Sequence, residues 1–174
     1  TKVILKTELT AKQKEYLTAI KMSGDALIVL INDILDLAKV DAGKMTFEAT
    51  PFKMASSISA MLHLFETKIQ EKNLQLITLY DKRIPAQVIG DSVRLHQIIL
   101  NLVSNAVKFT TFGKITVRIS LVKEEKDKLI IEFSVEDTGI GIASNKLTSI
   151  FENFQQASSG TSRLYGGTGL GLAI

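Results

Sequence analysis

The sequence contains no cysteine and has no long apolar run, and each absence excludes a class of protein. Without cysteine there is no disulfide scaffold, no zinc knuckle and no thiol catalysis. The longest apolar run in the first half of the chain, residues 26–31, is far too short to span a bilayer. The start of the chain does not resemble a signal peptide. We therefore expect a soluble chain that makes no membrane contact.

Clustered positive charge is also missing, because the formal net charge of +3 comes from lysines spread along the 174 residues. This distribution does not predict a nucleic-acid partner. With 45% hydrophobic and 22% charged residues, the chain can build a core and is not disordered as a whole. Glycine, in contrast, is concentrated: seven of the 11 glycines fall in residues 139–174. We expect function to lie in that region.

The first third of the chain has the pattern of one long helix. Thr10 and Gln13 have the spacing of a capping box, which predicts a helix start, and Gly43 is placed as a C-terminal cap. Apolar residues then alternate at spacings of three and four, as in a coiled coil or four-helix bundle. They are Leu17, Ile20, Gly24, Leu27, Ile31, Ile34 and Ala38. Because so apolar a helix needs partner helices, we predict a homodimer through residues 1–44.

After Gly43 the pattern changes to helices interleaved with mostly antiparallel strands. The predicted strands are 45–51, 74–80, 87–89, 115–122 and 129–135, the predicted helices are 55–70 and 92–108, and a solvated turn is predicted at 123–128. This order predicts an α/β two-layer sandwich. The expected fold class is therefore α+β: a long helix of a dimeric four-helix bundle, followed by the sandwich. Both ends have the character of an excerpt from something longer.

The predicted helix 92–108 is apolar almost all round, yet three polar residues interrupt it on one face. These are Asn101, Asn105 and Lys108, at spacings of four and three. Buried amides are costly unless their hydrogen bonds are met, so the face predicts a polar ligand. A carboxamide oxygen suits Mg²⁺, and the lysine adds a charge for phosphates. The alternative is a polar edge that faces solvent.

A second candidate site follows the last predicted strand. The alternation of the strand places Asp137 at its end on the core side, where a carboxylate needs a donor such as the exocyclic amine of adenine. Gly139 and Gly141 then let the backbone turn sharply and approach a flat ligand. The alternative is a turn that contains a capping aspartate.

Glycines 166, 167, 169 and 171 lead into a predicted helix start, where unpaired amides attract phosphate. Their spacing matches neither the P-loop nor the Rossmann pattern. The preceding segment, residues 155–165, has the small polar composition of a mobile lid, and Arg163 within it could reach a terminal phosphate.

Four segments in this order resemble the sequence boxes of sensor histidine kinases. Residues 101–110 look like the N box, 137–141 the first glycine box, 151–154 the F box and 167–171 the second glycine box. Residues 30–44 resemble the second dimerisation helix and linker of hybrid members. The resemblance implies a dimerisation and histidine-phosphotransfer region at 1–44, joined to a Bergerat-type ATP-binding catalytic domain at 45–174.

The resemblance also implies roles for individual residues. Asn101 would ligate Mg²⁺, Asn105 and Lys108 would contact the phosphates of ATP, and Asp137 would hold adenine. The other implied ATP-binding residues are Gly139, Gly141, Phe154, Arg163, Gly167, Thr168, Gly169, Leu170 and Gly171. His63 and His96 do not stand in the context of a phosphoacceptor. We therefore expect the phosphoacceptor histidine to lie upstream, and no catalytic side chain within this chain.

The resemblance implies a protein-histidine kinase that passes the γ-phosphoryl group of ATP to a histidine, for relay to the receiver domain of a response regulator. It also implies the cytoplasmic part of a membrane-anchored sensor. One alternative is a GHL-type ATPase. Those enzymes carry a glutamate four residues before the N-box asparagine, and Gln97 cannot take the proton from water. The other alternative is a non-catalytic dimerising scaffold, although intact nucleotide motifs argue against decay.

Overall fold

A single long helix dominates the first of two units into which the chain divides. In the computed structural model, which describes residues 3–151, the units are 3–45 and 46–151. A short 3-10 helix, Ile4–Lys6, precedes helix α1, Ala11–Asp41. At 1.5 Å per residue, α1 is about 46 Å long. Within residues 3–151, every helix is too short or too polar to cross a membrane.

Both ends of α1 form as the sequence predicts. The Thr10 hydroxyl accepts a hydrogen bond from the Gln13 backbone amide at 3.3 Å, and the Gln13 side-chain Oε1 accepts one from the Thr10 backbone amide at 3.0 Å. At the other end, Gly43 has φ +62°, and its amide donates to the Val40 carbonyl at 2.9 Å. The predicted capping box and the predicted glycine cap are therefore confirmed.

The apolar seam of α1 is largely exposed. Ile20, Leu27, Ile31 and Ile34 each expose between 48% and 58% of their surface. Bulky aliphatic side chains gain free energy when they leave water, at roughly 25 cal/mol per Å² of apolar surface. The helix therefore presents a long surface whose burial would be favourable.

The second unit alternates short strands and helices. Its elements are β1 (Thr50–Phe52), α2 (Met54–His63), α3 (Glu66–Glu71), β2 (Gln75–Tyr80), β3 (Val88–Gly90), α4 (Ser92–Phe109), β4 (Lys114–Glu125) and β5 (Lys128–Asp137), followed by 3-10 turns at Ser144–Lys146 and Ser149–Phe151. The predicted helix 92–108 and strand 74–80 are thus confirmed to within a residue.

The strands form two sheets within residues 3–151. Strands β1 and β3 form an antiparallel pair, and the larger sheet has the order β2-β4-β5. Strand β2 runs parallel to β4, starting from the pair Gln75 and Lys114. Strand β5 runs antiparallel to β4, with Asp137 opposite Ile115. This register places the last residue of β5 beside the first residues of the central strand.

The core of the unit lies between the helices and the larger sheet. Its most buried members, each below 2% exposure, include Ile58 of α2, Ile99 and Val103 of α4, and Ile115 and Ile119 of β4. Helices therefore cover the central strand, as a two-layer arrangement requires. The predicted α+β class, a long helix followed by a sheet-and-helix domain, is confirmed.

Two predicted elements before α4 are wrong in their bounds. The strand predicted at 45–51 is the three-residue β1, because pairing with β3 begins only at Thr50. The helix predicted at 55–70 is two helices. At Leu64 and Phe65 the backbone amides bond to the third carbonyl back instead of the fourth, which ends α2.

The hairpin strands are longer than predicted. The six-residue turn predicted at 123–128 is a two-residue turn, because Lys123 to Glu125 pair with Lys128 to Ile130. Backbone pairing does not require apolar side chains. The polar residues 123–125 therefore continue the pairing of the two strands although they are exposed to solvent. Lys126, in the turn, has φ +28°.

Candidate functional site

The three polar residues of α4 lie on the side of the helix that faces away from the core. Asn101, Asn105 and Lys108 are each half-buried, while Val103 and Val107 are buried on the other side. The described part of the chain provides no hydrogen-bond partner for the Asn105 amide. A half-buried amide with no partner among residues 3–151 is a group that a ligand can satisfy.

Partial burial lowers the pKa of Lys108 from its ordinary value, because the charged ammonium loses hydration. The ammonium lies 4.7 Å from the centre of the Phe109 ring. An anionic ligand beside this group would favour the charged form and raise the pKa again. The electrostatics of the helix end therefore suit a negatively charged ligand.

The carboxylate of Asp137 lies at the junction of β5 and the end of α4. Its Oδ1 accepts hydrogen bonds from the Gly139 backbone amide at 2.8 Å and from the Thr110 hydroxyl at 3.4 Å. Thr110, the residue after α4, is fully buried. Asp137 itself is exposed, although the residues before it on the same strand face are half-buried. The prediction that it ends the strand on the core side is confirmed, because Asp137 pairs with the fully buried Ile115 and its Oδ1 reaches the buried Thr110 at the edge of the core.

The alternative interpretation, a turn that contains a capping aspartate, is also correct. The Gly139 amide donates to Oδ1, so this oxygen caps the turn. No hydrogen bond to Oδ2 is found among residues 3–151. One oxygen thus fixes the turn, and the carboxylate is held in place while its second oxygen can accept a donor from a ligand. The two interpretations of Asp137 are compatible.

Gly139 packs directly against the end of α4. A Cβ atom at this position would lie 2.5 Å from the Phe109 carbonyl oxygen and 2.7 Å from Asp137 Oδ1. The next amide, of Ile140, donates to the same Phe109 carbonyl at 3.4 Å. Gly139 therefore approaches α4 so closely that only glycine fits there, while the approach of this backbone to a flat ligand stays a prediction. Gly141 has φ +67° and faces open space.

Sequence reasoning missed Thr138 and Thr110. The Thr138 hydroxyl accepts a hydrogen bond from the Lys114 amide at 3.1 Å, and the Thr138 amide donates to the Lys114 carbonyl at 3.2 Å. These bonds fix the glycine turn to the start of β4. Gly113, with φ +105°, leaves the space that the Thr138 hydroxyl fills. A glycine just before a strand, Gly113, could have indicated a close contact. Nothing in the sequence indicates that Thr138, 25 residues later, is its partner.

We expect Gly139→Ala to lower the free energy of unfolding by about 1–3 kcal/mol, because the new methyl group overlaps the Phe109 carbonyl. Urea unfolding followed by circular dichroism measures the loss. The matched control is Gly141→Ala, which meets no atom and costs about 1–2 kcal/mol for its backbone conformation alone. Unfolding of Gly139→Ala at the urea concentration of the unsubstituted chain would contradict the packing argument.

The remaining predicted ATP-binding residues lie outside the described residues. They are Phe154, Arg163, Gly167, Thr168, Gly169, Leu170 and Gly171. Phe151, the first residue of the F box, ends the last 3-10 turn and is exposed.

The side chains present fit a magnesium ion that is bound together with a nucleotide better than a metal site made only of protein ligands. Within residues 3–151, no three His, Cys, Asp or Glu side chains gather as ligands. A magnesium ion at Asn101 would therefore take its other ligands from water and from nucleotide phosphates, as Mg²⁺ commonly does.

Known proteins resemble this chain along nearly its whole length. Residues 90–174 match the family described as "Histidine kinase-, DNA gyrase B-, and HSP90-like ATPase". Hybrid signal transduction histidine kinase B of Dictyostelium discoideum is 42% identical over 172 residues, which are 99% of this chain and 9% of that protein.

Solved histidine kinases share the fold. Full-length ShkA in complex with AMPPNP has a TM-score of 0.77 and 34% identity, over 97% of this chain and 34% of ShkA. The nucleotide-free catalytic domain of ThkA has a TM-score of 0.57 and 30% identity, over 74% of this chain and 78% of that domain. ThkA in complex with the response regulator protein TrrA has a TM-score of 0.56 and 24% identity, over 86% of this chain and 42% of the kinase. The chain thus spans only a small part of the full-length proteins that it matches.

Proposed function

Because the chain belongs to the sensor histidine kinase family and contains the ATPase catalytic domain of that family, we propose that it binds ATP with Mg²⁺ and transfers the γ-phosphoryl group to a histidine. The observation that carries this proposal is the junction at the end of α4. There the Thr110 hydroxyl and the Gly139 amide hold the Asp137 carboxylate next to a helix that presents two amides and a lysine.

The length of the polar face supports a nucleotide over a single anion. Asn101 and Lys108 are seven residues apart, about 10 Å along the helix axis. A chain of phosphates can follow such a face, with the adenine end at Asp137. The AMPPNP complex of ShkA supports this choice, because AMPPNP is an analogue of ATP.

The residues present suit transfer of the phosphoryl group to a histidine better than hydrolysis of ATP by an activated water molecule. Asp137 would accept the exocyclic amine of adenine, while Lys108 and Asn105 would bind phosphate oxygens. Bound Mg²⁺ would neutralise charge on the phosphates. Gln97, where a related ATPase carries a glutamate, is a neutral amide whose oxygen accepts a hydrogen bond from Arg94 at 2.8 Å. It cannot act as the base for hydrolysis. A purely structural scaffold is disfavoured by the intact nucleotide motifs.

The proposal also includes the residues whose nucleotide-binding roles rest on the sequence resemblance alone. Gly167, Thr168, Gly169, Leu170 and Gly171 would shape the phosphate site and its lid, with Phe154 and Arg163 nearby. We assign residues 45–174 to the catalytic domain and residues 1–44 to the dimerisation region. The half-exposed apolar seam of α1 supports a homodimer.

The partner and the location are part of the same proposal. A response-regulator receiver domain would take the phosphoryl group from the histidine, and the complex of ThkA with TrrA supports a partner of this class. The chain would belong to the cytoplasmic part of a membrane-anchored sensor.

Two measurements on the chain test the proposal. Isothermal titration with ATP, with and without Mg²⁺, should show binding of one nucleotide per chain. An acceptor fragment that carries a family phosphoacceptor histidine should then become labelled from [γ-³²P]ATP when the chain is added. Absence of nucleotide binding, or steady phosphate release without labelling of the fragment, would overturn the proposed transfer.

A further inference from the structure

The end of α4 has an unusual set of partners. The last carbonyls of a helix have no donors within the helix and need others. Here the Lys72 ammonium donates to the carbonyls of Val107, Lys108 and Thr110, at 2.7, 3.2 and 3.2 Å. The carbonyl between them, of Phe109, accepts the Ile140 amide at 3.4 Å. The last three carbonyls of α4 and the carbonyl of Thr110, the residue after it, are therefore bound by groups from outside the helix.

Lys72 reaches this position from the end of α3. It is half-buried, and its backbone amide donates to the Lys68 carbonyl at 3.2 Å. The next residue, Asn73, turns the chain with φ +52°. A lysine ammonium has three donors, and in Lys72 all three have a backbone carbonyl. A cation at the negative end of a helix is also favoured by the helix dipole.

The contacts of Lys72 continue directly to the candidate adenine group. Lys72 binds the Thr110 carbonyl, and the hydroxyl of the same Thr110 donates to Asp137 Oδ1. Gly139 also packs against the Phe109 carbonyl, and the Ile140 amide donates to it. The position of the carboxylate therefore depends on where α4 ends, and Lys72 fixes that end.

We propose that Lys72 is a positioning residue for the nucleotide site: it holds the end of α4 so that Thr110 and Phe109 orient Asp137 for adenine. This inference rests on the proposed ATP-binding function. It assigns Lys72 no contact with the nucleotide. Its effect is therefore on the adenine end of the ligand more than on the phosphates.

The chain offers a matched set of variants. Lys72→Met removes the ammonium and keeps a side chain of similar length, and Lys72→Arg keeps a cation with several donors. Lys68→Met makes the same charge change on the exposed face of α3, four residues earlier. Binding of ATP and of inorganic triphosphate is measured for each, well below the unfolding temperature.

We expect Lys72→Met to weaken ATP binding roughly 10-fold, which is of the order of losing hydrogen bonds from a charged group. Triphosphate binding should change less than about 2-fold, and Lys68→Met should leave both unchanged. Lys72→Arg should recover part of the ATP affinity. Equal weakening of ATP and triphosphate, or no change in either, would overturn the positioning role.

Hydrogen exchange supplies a readout that needs no nucleotide. In Lys72→Met, the amides of Gly139 and Ile140 should exchange about 10-fold faster, while the Leu121 amide, held by Asp81 at 3.2 Å, should not change. Equal acceleration at all three amides would reduce Lys72 to a general stabiliser and overturn the proposal. If the unsubstituted chain binds no ATP, the proposed function fails, and the exchange result still shows whether Lys72 orders the Asp137 turn.

Discussion

Asp137→Asn is expected to lower the affinity of the chain for ATP by about 100-fold. The substitution keeps an oxygen that can accept the bonds from Gly139 and Thr110, so the turn should survive. It replaces the second oxygen by an NH₂ donor, which would face the amine donor of adenine. A lost bond to a charged group costs up to about 3 kcal/mol, and 1.4 kcal/mol is tenfold in affinity.

Isothermal titration with ATP measures this loss. Asp127→Asn, at the exposed tip of the β4–β5 hairpin, makes the same change of charge away from the site and should bind ATP as the unsubstituted chain does. Circular dichroism verifies that both variants are folded. An Asp137→Asn chain that binds ATP within about 3-fold of the unsubstituted chain would refute the assignment of adenine to this carboxylate.

Asn101→Asp is expected to reduce phosphoryl transfer by about 100- to 1000-fold, the range found when one electrostatic group of a catalytic site is lost. The new carboxylate would add negative charge on the helix face where the phosphates are proposed to lie. It would also alter the amide oxygen that we assign to Mg²⁺. Transfer is measured in a single turnover, from [γ-³²P]ATP to an acceptor fragment that carries the histidine.

The variant Asn32→Asp, at an exposed position of α1, is the matched control for Asn101→Asp. Titrations with and without Mg²⁺ separate the metal role from a general charge effect. If Asn101 ligates the ion, the gain in ATP affinity on adding Mg²⁺ should change in this variant. Unchanged Mg²⁺ dependence together with unchanged transfer would remove Asn101 from the site.

Local signals in the sequence were sufficient for the two longest helices, α1 and α4. The capping box of Thr10 and Gln13 spans three residues, and the apolar face of α4 repeats over five turns, so both could be predicted without knowledge of the fold. Shorter elements depend on their partners. Strand β1 exists only where it pairs with β3, about 40 residues later, and no property of residues 45–52 alone defines its start.

The candidate site could be predicted only in part, for a similar reason. The spacing of Asn101, Asn105 and Lys108 placed them on one face, because a helix fixes that geometry locally. The contacts that orient Asp137 join residues far apart in sequence: 27 positions separate it from Thr110, and 35 separate Lys72 from Val107. Such pairs depend on how β5 and α3 pack against α4, which periodicity does not encode.

The bond between Thr110 and Asp137 also has a consequence for the order of folding. The carboxylate reaches its place only after α4 has formed and the β4–β5 hairpin has docked, so a partly folded chain has no complete junction. A ligand that binds there binds only the folded unit and shifts the folding equilibrium toward it. At 100 times its dissociation constant, such a ligand adds about 2.7 kcal/mol to the stability of the unit. Supply of the ligand would then protect the unit from unfolding and proteolysis.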